Sequence, residues 1–239
     1  MARLEILTRA FNRLEYTVLC VRSIQANAGY VDYRHVIVDQ ASTDGTGAWL
    51  RSVAVEGFYR LLPVWNTTNT GDAGGMADGL ARIGADCEYV CQFDNDCALE
   101  TPGGLERLVT LMDGHPDIGA VMLKRNGVSN VLVPVKVETV DGLELGMLPW
   151  GRNYTCCTVM RRALVDLYAP GYTGERIQWV QRVTRRMREE RHGVYKALGV
   201  CVWHIDGTRG QVARYGRYFA AKTKEASNFT AVDYGKAEP

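Results

Sequence analysis

Glu88-Tyr89-Val90-Cys91-Gln92-Phe93-Asp94-Asn95-Asp96 is an apolar run, rich in strand-forming residues, that drives into two carboxylates one residue apart. A strand buried on both faces of a parallel sheet reads as such a run, and open α/β sheets bind ligands at the carboxyl ends of their strands. Two aspartates at that end can both reach one hard cation. Mg²⁺ or Mn²⁺ takes few protein carboxylates and completes its shell with water and phosphate oxygens. Asp and Asn are also favoured turn residues, so taken alone the stretch reads equally well as a turn. The flanking sequence has to decide.

Upstream, strand and helix patterns alternate. Leu4 to Thr8 reads as a first strand, and Phe11 to Asn27 carries apolar residues at Leu14, Val18, Val21 and Ile24, close to helical spacing, with Gly29 as a stop. Tyr33 to Asp39 is a β-branched strand ending in a carboxylate. The loop Gln40-Ala41-Ser42-Thr43-Asp44-Gly45-Thr46 is dense in turn and cap residues, and a helix from Gly47 to Val55 follows. Tyr59 to Trp65 is a third strand with an irregularity at Pro63. Asn66 to Gly79 is glycine-rich; Asp72 is placed to cap a helix with Met76, Leu80 and Ile83 as its buried stripe. Gly74 and Gly75 at its opening would let another molecule approach the backbone, where free N–H groups suit an anion. This rhythm predicts a parallel sheet with right-handed crossovers.

Downstream, Thr101-Pro102 opens a helix with Leu105, Leu108, Val109 and Met112 on its apolar face. Gly119 to Leu123 is a fifth strand. Val131 to Val137 alternates and leads to Asp141-Gly142, a hairpin signal, so the sheet is expected to become mixed after residue 125. Tyr154 to Met160 reads as a strand, Arg161 to Leu167 as a short helix, and Tyr195 to Trp203 as a last strand ending at His204. Arg176 to Arg191 is helical in pattern and carries six arginines. That pattern fits a solvated face or a patch for a polyanionic acceptor or lipid surface. The tail mixes basic and aromatic residues.

The 239 residues fit one α/β unit, with a half to residue 97, a second half over 98–206 and a tail over 207–239. A net charge of +1 demands no nucleic-acid or membrane partner, and no stretch reaches the apolar length of a membrane span. The first residues are too quickly charged for a secretory leader, and seven cysteines without a Cys-x-x-Cys pattern predict neither a disulfide framework nor a zinc ribbon. The expected compartment is therefore the cytoplasm, with a peripheral place at a membrane surface left open. Cys97, beside the aspartate pair, reads first as a packed thiol and second as a nucleophile.

Four sites in order, Val38 to Thr46, Asn69 to Gly79, Phe93 to Asp96 and Val202 to His204, resemble the family-2 glycosyltransferases of the GT-A fold. The resemblance spans about residues 3 to 206. It implies a Rossmann-like, mostly parallel central sheet with mixed strands in the acceptor half, and a donor site for a nucleotide sugar. On that resemblance Thr8 and Arg9 lie against the nucleotide, and Asp39 accepts hydrogen bonds from base or ribose. Asp44 shapes its loop. Asp72, Gly74, Gly75 and Asp78 wrap the base and sugar-diphosphate, and Asn95 lies with them. Asp94 faces the ribose or the metal, and Asp96 and His204 complete the shell of Mn²⁺ or Mg²⁺.

Relatives usually carry Glu-Asp-x-Asp before a helix in the second half, the first Asp serving as base. Here the matching stretch is Gly174-Glu175-Arg176-Ile177-Gln178-Trp179, with Arg176 where the base should be. Glu175 or Asp206 is left to take the proton of the acceptor hydroxyl. The expected activity is metal-dependent transfer of a hexosyl or pentosyl group, from a UDP-sugar by family frequency, with inversion. The rivals are a nucleotide-sugar-binding protein with impaired catalysis and a nucleotidyltransferase, the latter disfavoured by the lack of a glycine-rich phosphate loop after the first strand. The acceptor stays open among a glycan, a lipid-linked sugar, a protein and a modified nucleic-acid base.

Overall fold

The computed structural model describes residues 2–57, 60–126, 133–149, 156–172 and 178–205. The chain opens as β1 (Leu4–Ala10), α1 (Leu14–Asn27), β2 (Tyr33–Asp39), α2 (Thr46–Val55), β3 (Leu61–Trp65), α3 (Gly71–Leu80) and β4 (Tyr89–Phe93). It continues as β5 (Cys97–Leu99), α4 (Gly104–Gly114), β6 (Ile118–Asn126) and the hairpin β7 (Lys136–Val140) and β8 (Leu143–Met147). The described part closes with β9 (Cys157–Arg161), α5 (Arg162–Tyr168), α6 (Trp179–Glu189) and β10 (Gly193–His204).

The strands form one sheet in the order β3-β2-β1-β4-β9-β6-β10-β8-β7, with β5 added against β10. β1 to β4 are mutually parallel, and β9 enters antiparallel between β4 and β6. The centre of the sheet is covered on both faces, which is why its strands read as apolar runs rather than alternating ones. Leu4 and Ile6 of β1 pack with Cys20 and Ile24 of α1 and with Leu105 and Leu108 of α4. Leu7 packs on the other face with Met76 of α3, Val165 of α5 and Val183 of α6.

The connection from β1 leads to β2 on one side, whereas the chain later returns to place β4 on the other. That reversal opens a crevice beyond the carboxyl ends of β1 and β4, the usual ligand position in such sheets. The expected mixed character begins earlier than residue 125. β5 already runs antiparallel to β10 at Cys97. Three residues carry no periodic signal, and β5 exists because β10 offers it an edge.

Several boundaries differ from the expectations for physical reasons. α1 starts at Leu14 rather than Phe11, because Asn12 and Arg13 take left-handed backbone with φ 54 and 60. α4 starts at Gly104, and the Thr101 hydroxyl accepts a hydrogen bond from the Cys201 N–H (2.8 Å) instead of capping the helix. The Asp141-Gly142 turn has φ 46 and 75, the left-handed pair that a two-residue hairpin requires. In β10 the pairing with β6 slips between Ala197 and Cys201. This irregularity lets the first half of β10 pair with β8 and the second half with β5.

Candidate functional site

The site grows from the loops that follow β1, β2, β3 and β4. Asp39 ends β2, is buried, and accepts a hydrogen bond from the Ser42 N–H at 3.2 Å. A Cβ on Gly47 would stand 2.8 Å from Asp39 Oδ2, so the start of α2 lies close over this carboxylate. Asp44 accepts from the N–H groups of Leu14 (2.8 Å) and Thr46 (3.0 Å) and from the Thr46 hydroxyl (2.6 Å). These bonds hold its loop to the start of α1. Thr8 departs from its expected place against a nucleotide. It is fully buried, and its hydroxyl lies 2.8 Å from His35 Nε2. Burial pushes the His35 imidazole down to about 3, which keeps the ring neutral.

The segment before α3 is tied by Gln40, a residue of the Val38 to Thr46 motif for which no role was expected. Its Oε1 accepts from the Thr70 N–H (3.0 Å) and the Asn66 amide (3.1 Å), while its Nε2 donates to the Gly71 carbonyl (3.0 Å). Asp78 accepts from the same Asn66 amide at 2.8 Å, so it braces this loop. The glycines of α3 are also accounted for within the chain. A Cβ on Gly74 would collide with the Thr70 side chain, and one on Gly75 with Gln40 Nε2. The close approach predicted for a ligand is made by the protein's own side chains.

Asp72 does not cap α3; the N-cap position is Thr70, and Asp72 sits in the first turn. Its carboxylate gathers three donors: Arg9 Nη1 at 2.6 Å, the Tyr172 hydroxyl at 2.6 Å and the Trp179 N–H at 3.1 Å. These partners come from β1, from the segment after α5 and from the start of α6. Asp72 thus joins the two halves of the chain beside the crevice. Arg9 reaches on to Asp94, with Nη2 4.0 Å from Oδ1. Gln92, two residues before Asp94, donates to the same Oδ1 at 2.5 Å.

The two aspartates after β4 diverge. Asp94 faces Arg9 and Asp72, and burial together with the neighbouring Asp96 charge pushes its carboxyl well above the usual range. Asp96 faces α1 and β10. Its Oδ2 is 3.1 Å from Arg13 Nη1 and its Oδ1 is 3.8 Å from His204 Nε2. The β5–β10 ladder makes the second approach possible: His204 stands opposite Cys97, and the Ile205 N–H donates to the Asp96 carbonyl at 2.8 Å. Asn95 turns inward, accepting from Arg13 Nη2 (3.2 Å) and donating to the Thr17 hydroxyl (3.3 Å), which removes it from the nucleotide-facing set. Arg13 had no motif to announce it. Its guanidinium also lies over the Tyr16 ring, 5.4 Å from the centroid.

An Asp96 oxygen, a His204 nitrogen and the Cys97 sulfur lie within 4.8 Å of one another. A carboxylate and an imidazole on one side, with a second carboxyl nearby whose pKa is raised by burial and by the Asp96 charge, fit a divalent cation that would relieve that repulsion. Glu175 and Asp206, the carboxylates expected to act on the acceptor, lie outside the described residues. In the arginine-rich segment, α6 buries Val180, Val183 and Met187, while Arg185 and Arg186 pair with Glu189 on its outer face. No helix among the described residues is long and apolar enough to cross a membrane.

The fold is that of solved GT-A glycosyltransferases. The mannosyltransferase PcManGT from Pyrobaculum calidifontis, solved with GDP-Man and Mn²⁺, superposes with a TM-score of 0.70 at 16% identity, over 93% of this chain and 64% of that one. S. aureus TarS 1-349 in complex with UDP-GlcNAc gives 0.60 at 14% identity, over 86% of this chain and 61% of that one. This chain therefore spans less than two thirds of the length of either structure. No curated protein sequence matches it. The model of glycosyl transferase family 2 matches residues 5–168, more than half of the chain and the stretch that holds Asp39, Asp72, Asp94 and Asp96. The chain belongs to glycosyl transferase family 2.

Proposed function

We propose that this protein is a metal-dependent glycosyltransferase that moves a hexosyl or pentosyl group from a nucleoside-diphosphate sugar, a UDP-sugar first, to an acceptor hydroxyl with inversion. The observation that carries this reading is the convergence of Asp96 and His204, from the turn after β4 and from the far end of β10, beside Asp94 at the sheet's switch point.

In this reading Asp39 accepts hydrogen bonds from the base or ribose, and the start of α3 faces the sugar-diphosphate. Asp94, Asp96 and His204 hold Mn²⁺ or Mg²⁺. The cation would supply neutralisation of the charge that develops on the departing diphosphate. Arg9, already placed between Asp72 and Asp94, adds a fixed positive charge on the same side of the crevice. Asp72 keeps Arg9 there and fastens the start of α6, so it orients rather than reacts. Glu175 or Asp206 takes the proton of the acceptor hydroxyl as it attacks from the face opposite the leaving group.

A second reading, a binding protein for nucleotide sugars, is favoured by one observation, the Arg176 side chain where relatives carry a carboxylate. Calorimetric titration with UDP- and GDP-sugars, with and without Mn²⁺, combined with an assay for released nucleoside diphosphate, separates the two. Metal-dependent binding with slow release of diphosphate that Glu175→Gln or Asp206→Asn removes supports the transferase. Binding without release under any condition supports the second reading. No binding of any nucleotide sugar would overturn both.

A further inference from the structure

We propose that Cys97, Cys156 and Cys157 form a second cation site, for a thiophilic divalent ion of the zinc class, next to but chemically distinct from the Asp96–His204 pair. Their Sγ atoms lie within 4.8 Å of one another. Thiolates placed tetrahedrally about 2.3 Å from zinc stand roughly 3.8 Å apart, so small side-chain rotations would close the three on one ion. All three residues are buried, and they come from two places distant in the chain, Cys97 and the adjacent pair Cys156-Cys157. Cys97 opens β5 opposite His204, and Cys157 opens β9 opposite Phe93. Cys156 precedes β9 at a bend, where its carbonyl accepts the Asp94 N–H at 2.7 Å.

The vicinal pair is the informative part. Successive residues of an extended strand point to opposite faces, so Cys156 and Cys157 would ordinarily send their sulfurs apart. The bend at Cys156 turns both toward Cys97. Filling the core would need only one small apolar side chain on each face, and would not call for three sulfurs meeting at one point. Three soft ligands select a zinc-like ion, whereas Mn²⁺ and Mg²⁺ prefer the oxygens next door. Binding exchanges three S–H bonds for three S–metal bonds, releases three protons to solvent, and leaves a fourth position for water or a neighbouring side chain. Cys97 Sγ lies 4.0 Å from Asp96 Oδ1, so an ion held here would also fix the turn that carries Asp96.

The test is spectroscopic and does not depend on transferase activity. Reduced, metal-free protein titrated with Co²⁺ should develop a thiolate-to-cobalt charge-transfer absorption that saturates at one equivalent and is displaced by Zn²⁺. Cys156→Ser and Cys157→Ser should each lose the band. Cys201→Ser, outside the trio, and Asp94→Asn, which alters the donor site but no sulfur, should both keep it. Absence of the band in the unmodified protein overturns the site, whether or not the serine variants fold. So does a band that survives both serine variants, or one that disappears with Cys201→Ser. Absence of Mn²⁺-dependent nucleotide binding in the unmodified protein, with the cobalt band intact, would count against the donor-site reading alone.

Discussion

Arg13 and Asp96 face each other with side chains only 5% and 9% exposed, so their pairing is held away from water. Removing one member of a buried pair leaves the other charge uncompensated, at a cost of about 3–5 kcal/mol. Asp96→Ala should therefore lose about that much in urea unfolding, and its failure to bind a metal would not by itself identify a ligand. Asp96→Asn combined with Arg13→Met removes both charges, and its unfolding midpoint should recover most of the loss. A midpoint for Asp96→Ala equal to that of the unmodified protein would show that the pair is not desolvated. His35 makes a separate prediction. Its folded value of about 3 lies below the ordinary 6.5. Below pH 6.5 the unfolded chain takes up a proton that the folded one refuses, so the stability present above 6.5 is lost as pH falls toward 3, at about 1.4 kcal/mol per unit. Between pH 6 and pH 5 the unmodified protein should lose about 1 kcal/mol more than His35→Gln, by denaturant melts. Equal losses would mean that His35 protonates in the folded state.

The helix α3 shows what an element hides from its sequence. Its glycines suggested room for a ligand, but Gly75 and Gly79 stand one turn apart on the face that meets the sheet. A Cβ on Gly79 would collide with Leu7 Cδ1, part of a fully buried side chain of β1. The glycines let the helix lie close enough to the strand for Asp72 to meet Arg9. Gly79→Ala should gain roughly 1 kcal/mol in helix propensity and lose roughly 1–3 kcal/mol to overpacking, for a net loss near 1 kcal/mol. Adding Leu7→Ala should relieve the clash, so that a double-mutant cycle yields a favourable coupling; additive losses would refute the close approach. The strand-helix alternation, the Asp141-Gly142 turn and the strand into Asp94 were legible because they are periodic or carry special backbone chemistry. β5, the inward turn of Asn95 and the part played by Arg13 were not. Each is decided by a partner distant in sequence: β10 for β5, the α1 region for Asn95, and the turn after β4 for Arg13. No local pattern records a distant partner.

At the scale of the whole molecule, the β4–β9 ladder joins the two halves of the sheet, and the crevice gathers side chains from both. The parallel half supplies Arg9, Asp39 and Asp72, and the mixed half reaches back through Trp179 to Asp72 and through His204 to Asp96. A ligand that touches both sets binds the folded chain and not the unfolded one, so it stabilises the assembly of the halves. At 100 times its dissociation constant, a nucleoside diphosphate with Mn²⁺ should add about 2.7 kcal/mol, or about 5–10 °C in the midpoint for a chain of this size. The shift should depend on both components together if, as proposed, Asp94 and Asp96 hold the cation that neutralises the diphosphate. Differential scanning fluorimetry with UDP and GDP, each with and without Mn²⁺, reads this directly. In Asp94→Asn the nucleotide alone should still give a small shift through Asp39, while the additional shift from Mn²⁺ disappears. If Mn²⁺ adds as much to the variant as to the unmodified protein, the cation is held elsewhere and the two aspartates serve only to close the turn after β4.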